Sequence, residues 1–348
     1  MSQRWHLSSR GEGEGEGEGE GEGEGGSSSF ARGASFRGVP PGLGYKPWIL
    51  DFTPDVGTGL PTWPGGYRLG RRTTDYAAKD WDAPLRAVPA VVEFADRVSL
   101  WKDLGGSATV LDRHGYSGTV TAYDTRWRDV GGAGAVAQAE LDYLRELMVD
   151  ERARYLPEIL AQIDGAPRYF VGLLGVPSDG KPWTRAVINF GVRAGEFVAI
   201  SHKLKYNRLR PSVLYPGLAV PFGPPAHPAY PSAHATQSHL IGALLCMVDS
   251  SVRSRFADEL DWLAKRIAMN RERAGVHYES DSIAGEALAK YVASHVLAPC
   301  LAVVTALLGA GFTAPLTEAQ KGQVLATDQD AMPELWNLLA NARTEWLD

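Results

Sequence analysis

The stretch 228–234, Pro-Ala-Tyr-Pro-Ser-Ala-His, runs straight into an apolar segment over 235–248. That segment reads as a buried helix, and the rest of the chain has to be organised around it. Pro231 fits poorly inside a helix but well just before one, and Ser232 is a natural N-cap. A helix N-terminus carries unsatisfied N–H groups and the positive end of a dipole, so it can hold an anion. Ser232 adds a hydroxyl donor at that spot and His234 a titratable imidazole. By itself the stretch fits equally a capped core helix whose histidine is satisfied by its neighbours.

Two flanking stretches bring charge. Lys203 is followed, after six residues, by Arg210-Pro211. Arg271 is followed after five residues by His277, and after three more by Asp281. With Ser232 and His234 they supply one ammonium, two guanidiniums, a hydroxyl and two histidines. This inventory suits a tetrahedral oxyanion such as phosphate or vanadate, because a guanidinium presents a planar fork to two oxygens and lysine a mobile point charge. His277 and Asp281 share a face if a helix begins near His277. Asp281 can then accept the Nδ1 proton and leave Nε2 aimed at the anion. Lys205, Arg208 and Arg273 read as solvated surface charge.

After residue 136 the apolar period is helical. Helices are expected over 137–163, with Pro157 ending or kinking the first, and over 184–206, 234–248 and 255–270. Further helices are expected over 280–310, interrupted near Pro299, then 317–326 and 331–347. Prolines 211, 216, 221, 224, 225 and 228 keep 211–231 out of helix and make it a rim. Upstream, 88–100 fits a helix and 116–123 a short strand, while the Gly- and Pro-rich 30–75 fits irregular structure. The chain thus divides into a Gly/Glu-rich tail over 1–29, disordered by composition, an irregular N-terminal wrap over 30–130, and a mostly α helical bundle over 131–348 with the oxyanion site between its helices.

Composition excludes several classes. The formal charge of −6 is concentrated in 1–26, which hold seven Glu and two Arg. The remainder is nearly balanced, so nothing marks a nucleic-acid partner. The two cysteines, Cys246 and Cys300, make no disulfide framework. The N-terminus lacks the apolar core of a secretory peptide. The apolar stretch 292–312 is broken by His295 and Pro299, which favours a core helix over a membrane span. The expectation is a soluble, cytoplasmic protein. The sequence argues against a zinc site: His234 and His239 are five apart, which splays them on a helix, and no cysteine is near either.

Taken together, Lys203-x6-Arg210-Pro211, Pro231-Ser232-Ala233-His234 and Arg271-x5-His277-x3-Asp281 resemble the type 2 phosphatidic acid phosphatase and vanadium-dependent haloperoxidase superfamily, over residues 185–300. The resemblance implies a helical bundle of the acid phosphatase/haloperoxidase type. It assigns Lys203, Arg210, Ser232, the Ala233 N–H and Arg271 to the oxyanion. His277 becomes the vanadium ligand of a haloperoxidase or the phosphohistidine nucleophile of a phosphatase, and His234 the acid–base partner. Ala233 stands where the family usually has glycine; it keeps the N–H and adds a methyl group. His227-Pro228-Ala229-Tyr230 is closer to the haloperoxidase branch, and His227 matches a histidine of bromide-using members, a possible halide site. The reading that follows is a vanadate-dependent haloperoxidase acting on peroxide and halide. Its alternatives are a soluble phosphatase acting on a phosphoester, with phosphate in the pocket, and a non-catalytic oxyanion-binding protein. The oligomeric state stays open.

Overall fold

The computed structural model describes residues 83–101, 134–177, 180–206, 208–223 and 225–347. In chain order the helices are α1 (Ala83–Trp101), α2 (Gly134–Asp150), α3 (Arg152–Leu173), α4 (Pro182–Tyr206), the short α5 (Pro211–Leu214), α6 (Ala233–Val248) and α7 (Ser250–Ala274). They continue with α8 (Glu279–Tyr291), a π-helical stretch (Val292–Leu297), α9 (Ala298–Leu308), α10 (Glu318–Thr327) and α11 (Pro333–Thr344). Among the described residues there are no strands, so the fold is mostly α, as expected. The tail 1–29 and the anticipated strand over 116–123 lie outside the described residues.

Helix α6 is the axis. It is buried on nearly every side, as a helix without a charged face must be. Ser232 caps it by accepting a hydrogen bond from Ala235 N at 3.3 Å. Helices α4, α7 and α8 pack around it. Two glycines set how close they come. A Cβ on Gly195 of α4 would lie 2.8 Å from Gln237 Cα, and one on Gly285 of α8 would lie 2.7 Å from Ser232 O. These contacts pull α4 and α8 onto the N-terminal half of α6.

Helix α1 is longer than the expected 88–100 and docks on α4. Phe94 meets Phe190 edge-on at 5.8 Å, and both are fully buried. Each such side chain contributes roughly 1.5–3 kcal/mol by burial. Glu93, on the same helix, caps α11 by accepting from the backbone N of Glu334 and Leu335.

Prolines behave differently from expectation in two places. The break in 137–163 falls at Glu151, and α3 runs on through both Pro157 and Pro167. Ile159, Ala166 and Phe170 are buried along it, and that packing offsets the missing hydrogen bonds. The rim 211–231 is not free of helix, since Pro211 opens α5 and Pro216 opens a 3-10 turn. In both, proline occupies a first-turn position, where its missing N–H costs nothing. Near Pro299 the interruption is a π stretch: Ala298 N bonds back to Ala293 O, a wider loop that accommodates the ring. The run Glu279–Leu308 is long and apolar enough to cross a membrane. It buries one stripe, Ala284, Leu288, Val292, Val296, Cys300 and Val304, against the bundle.

Candidate functional site

The site is built where α7 ends and α8 begins, against the N-terminus of α6. Gly275, with φ of 80°, terminates α7 in the left-handed conformation. Its N–H bonds to Glu272 O, and Val276 N bonds to Arg271 O. The chain therefore reverses just after Arg271 and delivers His277 inward. Tyr278 then caps α8, whose first turn contains Asp281.

His277 and Asp281 are both fully buried and face each other. Nδ1 of His277 lies 3.0 Å from Asp281 Oδ2, which also accepts from Tyr278 N at 3.0 Å. The other carboxylate oxygen accepts from Arg208 Nη1 at 2.6 Å. Burial alone would raise the Asp281 carboxyl. The Arg208 charge, with His277 and the Tyr278 N–H, overrides it and brings the carboxyl down to about 2. An ionised Asp281 accepts only, so Nδ1 of His277 must donate to it, and the ring is held with Nε2 on its other side. That Nε2 lies 3.1 Å from Arg210 Nη1.

Arg208 corrects the sequence reading. It is 2% exposed, not a solvated charge. Besides Asp281 it donates to Glu140 Oε2 and Ser280 Oγ, each at 2.8 Å, and its guanidinium sits 3.8 Å from the Tyr278 ring centroid. Leaving water costs a guanidinium several kcal/mol, more than one buried leucine contributes, so only this full set of partners makes the position tenable. Arg273 is likewise not simply on the surface: it pairs with Glu151 at 2.7 Å and stacks 3.8 Å from the Tyr155 ring. The Lys205 side chain lies outside the described set.

The remaining cations come from α4, the rim and α7. Lys203 is buried near the end of α4 and donates to Pro228 O and Ala229 O at 2.8 and 3.0 Å. Arg210 donates through Nε to His227 O at 3.0 Å and through Nη1 to Val276 O at 2.9 Å; its Nη2 lies 3.0 Å from His227 Nδ1. Arg271, fully buried, donates to Ile159 O at 2.7 Å. Carbonyl partners orient these cations without adding negative charge. Ser232 is tied to the His277 segment by its own N–H, which bonds to Asp281 O at 3.0 Å, and Ala233 follows as the first residue of α6.

His234 faces α3. Its Nε2 lies 3.1 Å from Gln162 O, one turn along from the carbonyl that holds Arg271. Gln162 Oε1 in turn accepts from Asn270, the neighbour of Arg271. His234 also lines a small cavity of about 10 Å³, between Phe170, Val192 and Ile241, with room for about one water. Thus Lys203, Arg210, His227, His277 and Asp281 form one bonded group, with Ser232 joined to it, while His234 and Arg271 are held from the α3 side.

The sequence reading missed Arg208, Glu140, Gln162 and Asn270. Arg208 did leave a signal: it precedes Arg210 by two in a segment of proline-limited, extended chain, where alternate side chains leave one face. Glu140 and Gln162 had none, since each reaches the site from a helix far away in sequence.

No protein-family model and no curated protein sequence matches this chain.

Proposed function

We propose that this protein is an oxyanion enzyme centred on His277 Nε2, working as a vanadate-dependent haloperoxidase. The observation that carries the proposal is the buried line Arg208–Asp281–His277, which holds Nδ1 of the imidazole and sets Nε2 beside Arg210. The donor set fits vanadate: an imidazole nitrogen for the metal, with three buried cations and a capped helix N-terminus for its oxygens. When bound, vanadate would supply the Lewis-acid centre at which hydrogen peroxide is polarised for oxidation of a halide.

The chain's own residues do the rest. Lys203, Arg210 and Arg271 balance oxyanion charge in a water-poor site, where such charges act most strongly. Ser232 and the Ala233 N–H bring the dipole end of α6 to the same place. His234 moves a proton at the α3 side. His227 holds Arg210 and lines the rim, where a halide can approach.

The phosphatase is the competing reading, because an oriented Nε2 is also a competent phosphoryl acceptor.

Paired assays on one preparation separate them. Protein reconstituted with orthovanadate is expected to brominate an activated diketone when given peroxide and bromide, and His277→Ala to lose both tight vanadate binding and that activity. Fast aryl phosphate hydrolysis without vanadate, and no bromination with it, would establish the phosphatase instead. Vanadate binding with neither activity would leave an oxyanion-binding protein.

A further inference from the structure

His239 is one turn and a half further along α6 than His234, and on another face. It is 8% exposed. Its ring lies close to carboxylates from two other helices: Nδ1 is 3.8 Å from Asp261 Oδ1 of α7, and Nε2 is 3.8 Å from Glu286 Oε2 of α8. These separations are too long for hydrogen bonds. A more-than-nine-tenths buried imidazole thus faces two carboxylate oxygens across gaps that no bond closes. Such a group, left unbonded among potential ligands, is the observation that distinguishes this place from an ordinary surface charge cluster.

The carboxylates are divided in their allegiance. Asp261 gives Oδ2 to Lys265 at 2.7 Å and turns Oδ1 to His239. Glu286 gives Oε1 to Lys290 at 2.5 Å and turns Oε2 to His239. Both lysines lie one helical turn beyond their carboxylate, on the solvent side, more than half exposed. They orient the outer oxygens and leave the inner ones facing the imidazole, as outer partners do around a metal centre.

We propose that His239, Asp261 and Glu286 form a binding site for a divalent first-row transition cation, of which zinc is the representative, joining α6, α7 and α8. One imidazole nitrogen and two carboxylate oxygens are a borderline-hard donor set suited to such ions. The three ligand atoms lie within 4.8 Å of one another. Tetrahedral ligands of zinc are separated by about 3.4 Å, so closure from 4.8 Å brings the ligand atoms together by at most about 1.4 Å. Both carboxylates are part-exposed, and each is held on its outer side by an exposed lysine that can move with it. Burial holds the His239 imidazole below its ordinary pKa, against the pull of Glu286 and Asp261, and the neutral form is the one that ligates. With three protein ligands, water would complete the coordination of zinc. The site differs from the zinc pairing of His234 with His239 that the sequence argues against, because its other ligands come from different helices.

The test uses the full chain, freed of metal by chelation and dialysis, and titrated with zinc chloride against a chromophoric chelator, with magnesium chloride as the control. Wild type is expected to take one zinc per chain, and magnesium not to compete. Glu286→Gln and Asp261→Asn, both at part-exposed positions that leave the core intact, are each expected to weaken zinc by more than about 10-fold. His239→Ala is expected to abolish the site, and His277→Ala to leave it unchanged. Absence of saturable zinc binding would overturn the proposal. So would zinc affinity that survives Glu286→Gln and Asp261→Asn but falls in His277→Ala, because the ion would then sit in the oxyanion pocket.

Discussion

Two histidines of the same bundle each face carboxylates, and they end in different states. His277 lies 3.0 Å from Asp281, with both fully buried. His239 lies 3.8 Å from Asp261 and from Glu286, which are part-exposed. The difference is in what stands behind the carboxylate. Behind Asp281 is Arg208, a rigid fork 2% exposed, which fixes one oxygen and leaves the other for the imidazole. Behind Asp261 and Glu286 are exposed lysines, which are flexible and water-screened. Arginine in a dry site makes an oriented pair; lysine at the surface leaves a gap that an ion can fill.

The sharpest way to break this comparison is to remove the arginine. Arg208→Met leaves Asp281 and Glu140 buried without their cation, and is expected to cost about 3–5 kcal/mol of stability in urea unfolding at neutral pH. The sign with pH follows from Asp281. Its carboxyl is lowered from 3.8 to about 2, so its contribution is complete above pH 3.8 and lost as pH falls through 2. The deficit of the variant should shrink over that window. An unchanged midpoint at neutral pH would mean that burial alone orients the pair.

Glu272 sharpens the point from within the buried region. It is 3% exposed, and Tyr143 donates to it at 3.3 Å, but its close neighbours include further carboxylates. Burial raises it to about 7, with Ser282 and Tyr143 opposing and Glu279 and Asp281 adding to the rise. Two buried carboxylates a short distance apart are thus driven in opposite directions, by the presence or absence of a guanidinium contact. The folded protein holds the Glu272 proton more tightly than the unfolded chain, so this stabilisation is complete below about 4.5 and lost as pH rises through 7. Glu272→Gln is expected to stabilise the protein by about 1–3 kcal/mol at pH 8 and by little at pH 4.5. Thermal unfolding at the two pH values reads this directly; equal shifts at both would show that the carboxylate is not protonated in the fold.

The smallest effect belongs to the exposed side. Lys265→Met removes an i,i+4 pair with Asp261 and is expected to change stability by no more than about 0.5 kcal/mol. A loss of several kcal/mol in chemical denaturation would place that lysine in the same class as Arg208 and erase the contrast.

The residues themselves announced the helical class, the cap at Ser232, the i,i+4 spacing of His277 and Asp281, and the charge inventory of Lys203, Arg210 and Arg271. All of these depend on local geometry: a period of 3.6, a hydroxyl before an apolar run, two side chains one turn apart. Local rules also account for the errors. Proline at 157 was given its isolated helix-breaking tendency, and only the burial of Ile159, Ala166 and Phe170 shows why α3 continues. The role of Arg208 was decided by tertiary structure alone. Whether an arginine is solvated or buried depends on carboxylates that arrive from elsewhere, and Glu140 and Asp281 lie 68 and 73 residues away in the chain. His239 was settled in the same way, by Asp261 and Glu286 on two neighbouring helices. Sequence spacing fixes which side chains share a face of one helix. Which faces meet is fixed by how closely the helices can pack, and here by the absence of a side chain at Gly195 and Gly285.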